Sequence, residues 1–425
     1  MHDIRLLRDQ MAHLREGMRR RGKLDELTPL LDRAEALEKE RRDSIRVAEE
    51  AQAERNRISQ EVAKRRRAGE AADELMAEGR AIGERIAALE TRRQAVESEV
   101  SDILMQLPNL TLDEVAEGGE DANRVVRTWG TTREGEVGIT PHWEVGERLG
   151  VLDLPRGAKI AGSGFIVYRG GGARLVRALM NYMLDLHVEE HGYEELWVPL
   201  LVNRATLTGT GQLPKFEEDM YAVPSDDLFL IPTAEVPVTN LYRDEILEPG
   251  DMPRAFVAFS ACFRREAGSA GKDTRGLLRV HEFDKVELVR YATPESSRDE
   301  LELLTSHAET VLQRLELPYR VLQLAAGDTG FSSAMTYDLE VFAPGVGKWL
   351  EVSSCSVFTD FQARRANIRY RAAAGEKPRF VHTLNGSALA FSRIIAALLE
   401  QHQQPDGSVR VPAALQPYLG RDTLR

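Results

Sequence analysis

Charged side chains interrupt three otherwise apolar, strand-like stretches in the second half of this 425-residue chain. A charge in such a stretch is costly to bury unless it meets a partner or a ligand, so these positions are candidates for a functional site. In the first stretch, FRREAGSAGKDTRGLLRVHEFDKVELV, Arg264 and Glu266 lie two positions apart, and Arg279, Phe283 and Glu287 are also separated by even numbers. If both segments are strands, each set shares one face, and the resulting hairpin suits a planar base with phosphates.

Two further stretches carry groups suited to a metal ion and to phosphate. In WLEVSSCS, Glu351 and Ser353 share one face of a predicted strand and Ser354 follows, and a carboxylate beside a hydroxyl suits Mg²⁺ held on a nucleotide. HTLNGSALAFSR is predicted to open a helix with Arg393 one turn in, a place suited to phosphate. Each stretch taken alone also has a structural explanation, such as a buried ion pair or an Asn-Gly turn.

The elements that must position these residues are predicted beyond about residue 133. Amphipathic helices at 173–191, 300–315 and 388–403 alternate with β-rich runs. These runs are ELWVPLLV, LFLIPTA, RAFVAFSACFRR, LLRVHEFDKVELVRY, MTYDLEVFAP and WLEVSSCSVF. Several follow one another after short turns, which favours an antiparallel or mixed sheet flanked by helices over a doubly wound parallel sheet. A P-loop or Rossmann nucleotide site is not supported, because neither glycine pattern is present in its required context.

The first quarter of the chain is predicted to form a long helical hairpin. Apolar residues recur every seven positions in its second half, which is typical of a coiled coil. They are Leu75, Ile82, Leu89, Val96 and Ile103, with Ile86, Val100 and Leu107 in companion positions. The first half carries a looser apolar stripe, and the segment KRRRAGEAADE with Gly69 is the expected point of reversal.

This hairpin has a structural and a functional interpretation. Such hairpins are more often dimerisation or spacer elements, and runs of charge are usually just solvated. Its basic residues are nevertheless candidate phosphate contacts. They are Arg55, Arg57, Lys64, Arg65, Arg66 and Arg67.

Composition limits the possible classes of function. The formal net charge of -12 does not indicate general nucleic-acid binding, so any RNA contact must use local basic patches. No apolar run is long enough to span a bilayer, and the N-terminus has no signal or transit pattern. Cys262 and Cys355 have no metal-binding spacing, so neither a disulfide framework nor a zinc site is expected. A cytoplasmic location fits best.

Together these segments resemble the signature motifs of class II aminoacyl-tRNA synthetases. GYEELWVPLLV is similar to the first motif, which builds the dimer interface; FRRE with its loop and RVHEFDKVE is similar to the second, and GSALAFSR to the third. TAEVP, GSAGKDTRGLLRVHEFDKVE, EVSSCS and TLNGSALA resemble the bacterial seryl type in particular, and the similarity extends over the whole chain to VPAALQPYLG. Ala388, Ala390 and Ser392 depart from the general third motif in the way usual for seryl-tRNA synthetases.

The resemblance implies an α+β fold in which two domains have separate functions. It comprises an N-terminal antiparallel coiled-coil hairpin and a class II catalytic domain with a mainly antiparallel β-sheet flanked by helices. The expected divisions are a tRNA-binding domain at 1–110 with its arm at about 27–103, a linker at 111–135 and a catalytic domain at 136–425. The implied enzyme is an ATP-dependent ligase that activates L-serine and transfers it to the 3′ end of tRNA(Ser), with tRNA(Sec) as a further candidate. A cytoplasmic homodimer using ATP with Mg²⁺, and not zinc, is expected.

The resemblance also assigns roles to residues. Arg264 should hold the α-phosphate, Phe283 should stack on adenine with Arg393 over its far side, Glu266 should contact the base, and Arg264 and Arg393 should be catalytic. The ATP residues are Arg264, Arg265, Glu266, Arg279, Val280, Phe283, Glu351, Val352, Ser353, Ser354 and Arg393, of which Glu351 and Ser354 carry Mg²⁺. The serine residues are Thr233, Ala234, Glu235, Glu287, Asn385 and Ser387. The six basic arm residues are the expected tRNA contacts.

Three alternatives remain open from the sequence. An amino-acid carrier-protein ligase has the same catalytic residues but lacks the arm. A non-catalytic RNA-binding paralogue is expected to lose Arg264, Glu287, Glu351 or Arg393, all of which are present. Threonine or proline specificity is disfavoured, because only about thirty residues follow Arg393 and leave no room for a C-terminal anticodon-binding domain.

Overall fold

The computed structural model describes residues 1–267 and 275–425, which form two compact units, Met1–Pro108 and Asn109–Arg425. Residues 268–274, the GSAGKDT part of the loop expected in the second motif, lie outside the described residues. In the described ranges, none of the helices combines the length and apolarity that crossing a membrane requires.

The first unit consists of helices and contains the predicted hairpin. Its helices are α1 (Arg5–Asp9), α2 (Met11–Arg20), α3 (Leu24–Ala68) and α4 (Asp73–Gln106). Helix α3 ends at Gly69, whose φ of 75° is left-handed and therefore favours a residue without a Cβ atom. The ion pairs Arg33–Glu99 at 2.7 Å and Arg92–Glu40 at 2.5 Å join α3 and α4 in antiparallel register. The predicted antiparallel helical hairpin is confirmed.

The apolar seam between α3 and α4 is buried unevenly along its length. Val96, Val100 and Ile103 are buried, whereas Leu75 and Ile82 near the tip are half-buried. Helices α1 and α2 pack near the base of the hairpin, and the distal part has only two helices to cover its apolar stripe. The tip is therefore stabilised by less apolar burial than the base.

The second unit is built on a large β-sheet. The strands are β1 (Arg124–Trp129), β2 (Glu194–Leu196), β3 (Leu201–Asn203), β4 (Ala222–Val223), β5 (Leu228–Leu230), β6 (Ile246–Leu247), β7 (Arg254–Phe263), β8 (Glu282–Ala292), β9 (Tyr319–Gln323), β10 (Met335–Ala343), β11 (Lys348–Val357), β12 (Arg369–Tyr370), β13 (Arg379–Phe380), β14 (His382–Ala390), β15 (Val409–Arg410) and β16 (Thr423–Leu424). Eight of them form a sheet in the order β1-β9-β10-β11-β14-β8-β7-β2, in which only β2 and β7 are parallel. The predicted, mainly antiparallel sheet is confirmed.

Helices cover the two faces of this sheet unequally. They are α5 (His142–Arg148), α6 (Leu154–Ala161), α7 (Gly171–Glu189), α8 (Arg204–Thr210), α9 (Glu235–Thr239), α10 (Ser297–Arg314), α11 (Phe361–Ala366), α12 (Phe391–Gln401) and α13 (Gln416–Leu419). Helices α7, α10 and α12 bury one face through the main apolar core, in which Val286 and Leu288 of β8 lie. On the other face, α9 and α11 cover only the end near Val289 and Tyr291. On β8, the residues that continue this face beyond Val289 are Glu287, Lys285 and Phe283.

Two local predictions of secondary structure were wrong. Strand β7 ends at Phe263 and β8 begins at Glu282, so Arg264, Glu266 and Arg279 lie outside the strands to which they were assigned. The run ELWVPLLV is two strands, because Pro199 lies between them and has no N–H group for a ladder.

The second error concerns the small-residue stretch HTLNGSALA, which forms the interior strand β14 and is not the start of a helix. Its small residues are explained by close packing, because a Cβ atom at Gly386 would lie 2.2 Å from Cδ2 of Leu304. Helix α12 begins only at Phe391, which places Arg393 in its first turn.

Candidate active site

Two adjoining cavities open on the incompletely covered face of the large sheet. Their volumes are about 510 Å³ and about 100 Å³, and Arg264, Glu266 and Arg279 line both. The larger cavity is also lined by Gln212, Phe216, Asp219, Met220, Pro232, Thr233 and Glu235. The smaller is also lined by Leu278, Val280, Phe283, Lys285, Glu351, Val352, Ser387, Ala390, Ser392 and Arg393. The segments that the sequence singled out therefore converge around one composite site.

The smaller cavity combines an aromatic ring with guanidinium groups. The Arg264 guanidinium lies 5.2 Å from the centroid of the Phe283 ring, and Nε of Arg264 donates to the carbonyl of Pro232 at 3.4 Å. Arg393 is held in place through Nη1, which donates to the carbonyl of Glu351 at 2.7 Å and lies 3.4 Å from its carboxylate. A ring with cationic groups near it can bind a planar base that carries phosphates.

The segments that follow β7 and precede β8 are joined by an ion pair. Nη1 of Arg279 donates to Oε2 of Glu266 at 2.5 Å, and Glu266 has a left-handed φ of 53°. The backbone N–H of Arg265 donates to the carbonyl of Asp219 at 3.1 Å, while the Arg265 side chain lines neither cavity. Arg279 and Glu266 thus reach the site from irregular segments, where strand alternation does not determine side-chain direction.

A β-bulge in β11 changes which residues face the site. Leu339 of β10 pairs with Ser353 and the next residue, Glu340, pairs with Glu351, so β11 has one extra residue at Val352. Glu351 and Ser354 consequently share one face of β11, of which Glu351 lines the smaller cavity, and the predicted shared face of Glu351 and Ser353 is wrong. Ser353 is buried and its hydroxyl donates to the carbonyl of Ser387 at 2.6 Å.

Asp338 is a carboxylate that the sequence analysis missed. It pairs with Ser354 across β10 and β11 and is hydrogen-bonded to the Ser354 hydroxyl. Burial, followed by the nearby Glu351 carboxylate, raises the pKa of Asp338 well above its ordinary value. Its Oδ1 atom is buried and has no hydrogen-bond partner among the residues that the structure describes. Its position inside the strand MTYDLEVFAP was a usable signal, because a buried carboxylate needs a partner.

These oxygen groups fit Mg²⁺ only in part. Asp338, Glu351 and Ser354 lie on one face and offer carboxylate and hydroxyl oxygens, which are the ligands that this ion prefers. Among the described residues, no group of three His, Cys, Asp or Glu side chains converges to hold a metal ion without help. That arrangement agrees with an ion bound by few protein ligands together with substrate phosphates.

Buried polar and ionisable groups cluster where the two cavities adjoin: Thr233 and Glu235 line the larger cavity, Lys285 lines the smaller one, and Glu287 lies in contact with Thr233 and Lys285. The Thr233 hydroxyl donates to Oε2 of Glu287 at 3.0 Å and accepts from the backbone N–H of Glu235 at 3.2 Å. Lys285 forms a buried ion pair with Glu287, and Oε1 of Glu287 has no hydrogen-bond partner within the described ranges. Lys285 was missed, although its place in the apolar run DKVELV and its spacing of two from Glu287 were a signal.

Glu235 has an unusual electrostatic environment. Burial raises the pKa of Glu235 to about 7, and the neighbouring Glu287 carboxylate adds to the increase. Asn385 of β14 is hydrogen-bonded to Glu235, and Ser387 pairs with Glu287 across β14 and β8. Ala234, by contrast, packs into an apolar cluster and does not line either cavity. Four of the six candidate serine residues, and Asn385 through its bond to Glu235, are thus brought together.

Several residues of the larger cavity have no sequence signal. Gln212, Phe216, Asp219 and Met220 lie in an irregular segment without apolar periodicity or an isolated charge. Gln362, which donates to Glu235, is a neutral amide in a short helix. Neither pattern nor composition distinguishes such residues from ordinary loop or helix positions.

The six basic residues of the arm are all exposed near the end of α3. Two have acidic neighbours on the same helix: Arg57 pairs with Glu54 at 3.2 Å and Arg65 with Glu61 at 3.3 Å. Such exposed pairs contribute little free energy, so they leave these guanidinium groups able to contact an anion.

Comparison with known proteins matches both units. Residues 1–111 match the family described as the seryl-tRNA synthetase N-terminal domain, and residues 216–402 match the tRNA synthetase class II core domain (G, H, P, S and T). The serine–tRNA ligase of Gemmatimonas aurantiaca is 75% identical over 424 residues, and that of Geobacillus kaustophilus 54% over 427, each alignment covering 100% of both chains.

Solved structures give the same assignment. Seryl-tRNA synthetase from Pyrococcus horikoshii, complexed with ATP, has a TM-score of 0.95 and 39% identity over 100% of this chain and 99% of that chain. Cytoplasmic serine–tRNA ligase from Naegleria fowleri, in complex with AMP, has a TM-score of 0.91 and 28% identity over 100% of this chain and 99% of that chain. By sequence and by fold, the chain belongs to the serine–tRNA ligase family of class II synthetases.

Proposed function

We propose that the composite site activates L-serine with ATP and then transfers the seryl group to the 3′ end of tRNA(Ser). The observation that supports this proposal is that Arg264 lines both cavities. The smaller cavity offers an aromatic ring and guanidinium groups, and the larger offers the buried Glu235 carboxylate, which neighbours Glu287. These are the surfaces that a nucleotide and an amino acid would each require.

The nucleotide occupies the smaller cavity in this proposal. Adenine stacks on Phe283 with Arg393 on its other side, and Glu266 contacts the base. Arg264 neutralises the α-phosphate from the junction between the cavities. Glu351 and Ser354 would hold Mg²⁺ together with the phosphates, and the ion would supply positive charge for the pyrophosphate group. The shared lining of the cavities supports this placement.

The amino acid occupies the larger cavity beside it. The serine ammonium group lies against Glu235 and Glu287, and Thr233 and Ser387 contact the remaining polar atoms. The buried, polar lining disfavours alanine, because a missing hydroxyl would leave buried groups unpaired. Ala234 is not part of this contact set, since it packs into the apolar cluster.

The chemistry follows from this arrangement. A serine carboxylate oxygen attacks the α-phosphorus, a bond to the bridging oxygen breaks, and pyrophosphate leaves. The protein contributes orientation and charge neutralisation without a covalent intermediate. The terminal ribose hydroxyl of the tRNA then attacks the activated carbonyl, AMP leaves, and the hydroxyl proton passes to solvent or to the phosphate.

The same proposal includes the partners. The unit Met1–Pro108 binds tRNA(Ser) through the six basic residues of its arm, with tRNA(Sec) as a second RNA to assay. A cytoplasmic homodimer is proposed. The dimer is supported by large apolar side chains exposed between the end of β2, at the edge of the large sheet, and the start of β3: Trp197 is 78% exposed and Leu201 is 42% exposed. Isolated apolar residues are normal on a surface, but a cluster at an open edge indicates an interface.

A charging assay tests the function against its alternatives. The protein is incubated with ATP, Mg²⁺, a tRNA(Ser) transcript and labelled serine, threonine or proline in turn. We expect a seryl ester on the tRNA with serine alone. Activation of serine without charging of the tRNA would favour a carrier-protein ligase. Charging with threonine or proline would show that the enzyme is specific for that amino acid instead. Absence of activation would favour a non-catalytic paralogue.

A further inference from the structure

We infer that Gln362 is a positioning residue that orients the Glu235 carboxylate, and so determines the affinity of the site for the ammonium group of the amino acid. Gln362 is fully buried in the first turn of α11. Its Nε2 donates to Oε1 of Glu235 at 2.7 Å. The inference rests on the proposed function and adds a residue that does not line either cavity.

The orientation of the Gln362 amide is fixed by two further contacts. Nε2 also donates to the carbonyl of Thr210 at 3.2 Å, and Oε1 accepts from the Thr383 hydroxyl at 2.6 Å. The backbone carbonyl can only accept, so the NH₂ group must face Thr210, and Glu235 on the same side then receives a donor. Gln362 therefore cannot flip without placing its own carbonyl against the Glu235 carboxylate and the Thr210 carbonyl.

These contacts join separate elements of the fold around one carboxylate. Thr210 ends α8, Thr383 lies in β14 and Glu235 begins α9. Loss of the amide would free a buried carboxylate at the cavity wall to adopt other orientations. A buried acceptor that loses its donor carries a substantial free-energy penalty, and the penalty is larger when the acceptor is charged.

The amide also favours the ionised form of Glu235. Burial and Glu287 raise its pKa to about 7, whereas the hydrogen bonds from Gln362 and Asn385 and the Lys285 ammonium of β8 oppose the increase. Arg365 on the same helix as Gln362 donates to the carbonyls of Thr208 and Leu213. Removing the Gln362 donors therefore raises the pKa of Glu235 further, and the neutral acid binds an ammonium group less well.

The test compares Gln362→Met with a matched control, Gln401→Met. Gln401 is also a buried glutamine, its Nε2 donates to the carbonyl of Phe342 at 2.7 Å, and it lies outside both cavities. Steady-state ATP–pyrophosphate exchange gives KM for serine and for ATP at several pH values. For Gln362→Met we expect KM for serine to rise about tenfold or more at pH 7, with KM for ATP within about twofold. The serine effect should shrink as the pH rises to 8.5, because Glu235 then ionises again.

A second variant covers the case in which Gln362→Met does not fold. Thr383→Val keeps the amide but removes the hydroxyl that fixes its orientation, and we expect a smaller rise in KM for serine with the same pH dependence. Equal serine KM values in the unaltered protein and a folded Gln362→Met variant, or equal rises for serine and ATP, would overturn the inference. If only Thr383→Val folds, an unchanged serine KM there would overturn it. Absence of serine-dependent exchange in the unaltered protein would instead contradict the proposed function.

Discussion

The buried pair of Lys285 and Glu287 allows stability and substrate binding to be separated. The side chains are 6% and 1% exposed, and Glu287 also accepts from Thr233. Glu287→Gln keeps the shape of the side chain but removes its charge, so the Lys285 ammonium group is left buried without a counter-charge. We expect both a loss of stability and a loss of serine binding.

The two losses have different magnitudes and different origins. Removing one partner of a buried ion pair costs about 3–5 kcal/mol, and the retained amide places Glu287→Gln near the lower limit. The proposed contact with the serine ammonium group is a hydrogen bond to a charged group, worth about 1.5–3 kcal/mol. That range corresponds to a rise in KM for serine of about ten- to a hundredfold.

The assay pairs the single variant with the double variant Lys285→Met/Glu287→Gln. Denaturant unfolding gives the free energy of unfolding, and ATP–pyrophosphate exchange gives KM for serine. Because the double variant removes the Lys285 ammonium group together with the Glu287 carboxylate, most of the stability should return. Serine binding should stay weak in both variants, since the carboxylate is absent from both.

Two outcomes would refute this reasoning. If the single variant is as stable as the double variant, Lys285 and Glu287 are not a coupled buried pair. If KM for serine returns to its original value in the double variant, Glu287 acts only through stability and does not contact the amino acid.

Further predictions concern pH, RNA, metal and assembly. Because the pKa of Glu235 is raised to about 7, KM for serine should rise as the pH falls from 8 to 6, and a flat profile would contradict this. Replacing the arginines at 65–67 by alanine should weaken tRNA charging while sparing serine activation; unchanged charging would exclude them as contacts. Asp338→Asn should raise the Mg²⁺ concentration that ATP binding requires, as measured by calorimetry. The same Mg²⁺ requirement in the variant and the unaltered protein would exclude Asp338 from the site. Trp197→Asp should convert a dimer to monomers, as measured by sedimentation. A variant that remains dimeric would exclude that edge of the sheet as the interface.

Much of the fold was predictable because it depends on simple periodicities. The seven-residue spacing of apolar residues in α4 predicted the hairpin, and Gly69 marked its reversal. Alternation and β-branched residues predicted β7, β8, β10 and β11. Strand β14 was not predicted, because its small residues have low strand propensity and are required by close packing against Leu304.

The sequence allowed charged residues of the candidate site to be predicted, because they stand in apolar, strand-like runs. Arg264, Glu287 and Glu351 stood out because buried charges need partners or ligands, and the same rule could have identified Lys285 and Asp338. Residues whose place depends on backbone irregularity were not accessible in this way. The bulge at Val352 reversed the face of Ser353, and no sequence pattern indicates a single extra residue in a strand.

The most direct test of the proposed activity is amino-acid-dependent ATP–pyrophosphate exchange with each of the twenty amino acids, with Arg264→Ala as the control. Arg264 stands where the two cavities meet, so its loss should abolish exchange even if both substrates still bind. We expect strong exchange with serine alone, absent from the control. Exchange with a different amino acid, or serine-dependent exchange that persists in Arg264→Ala, would contradict the proposed site.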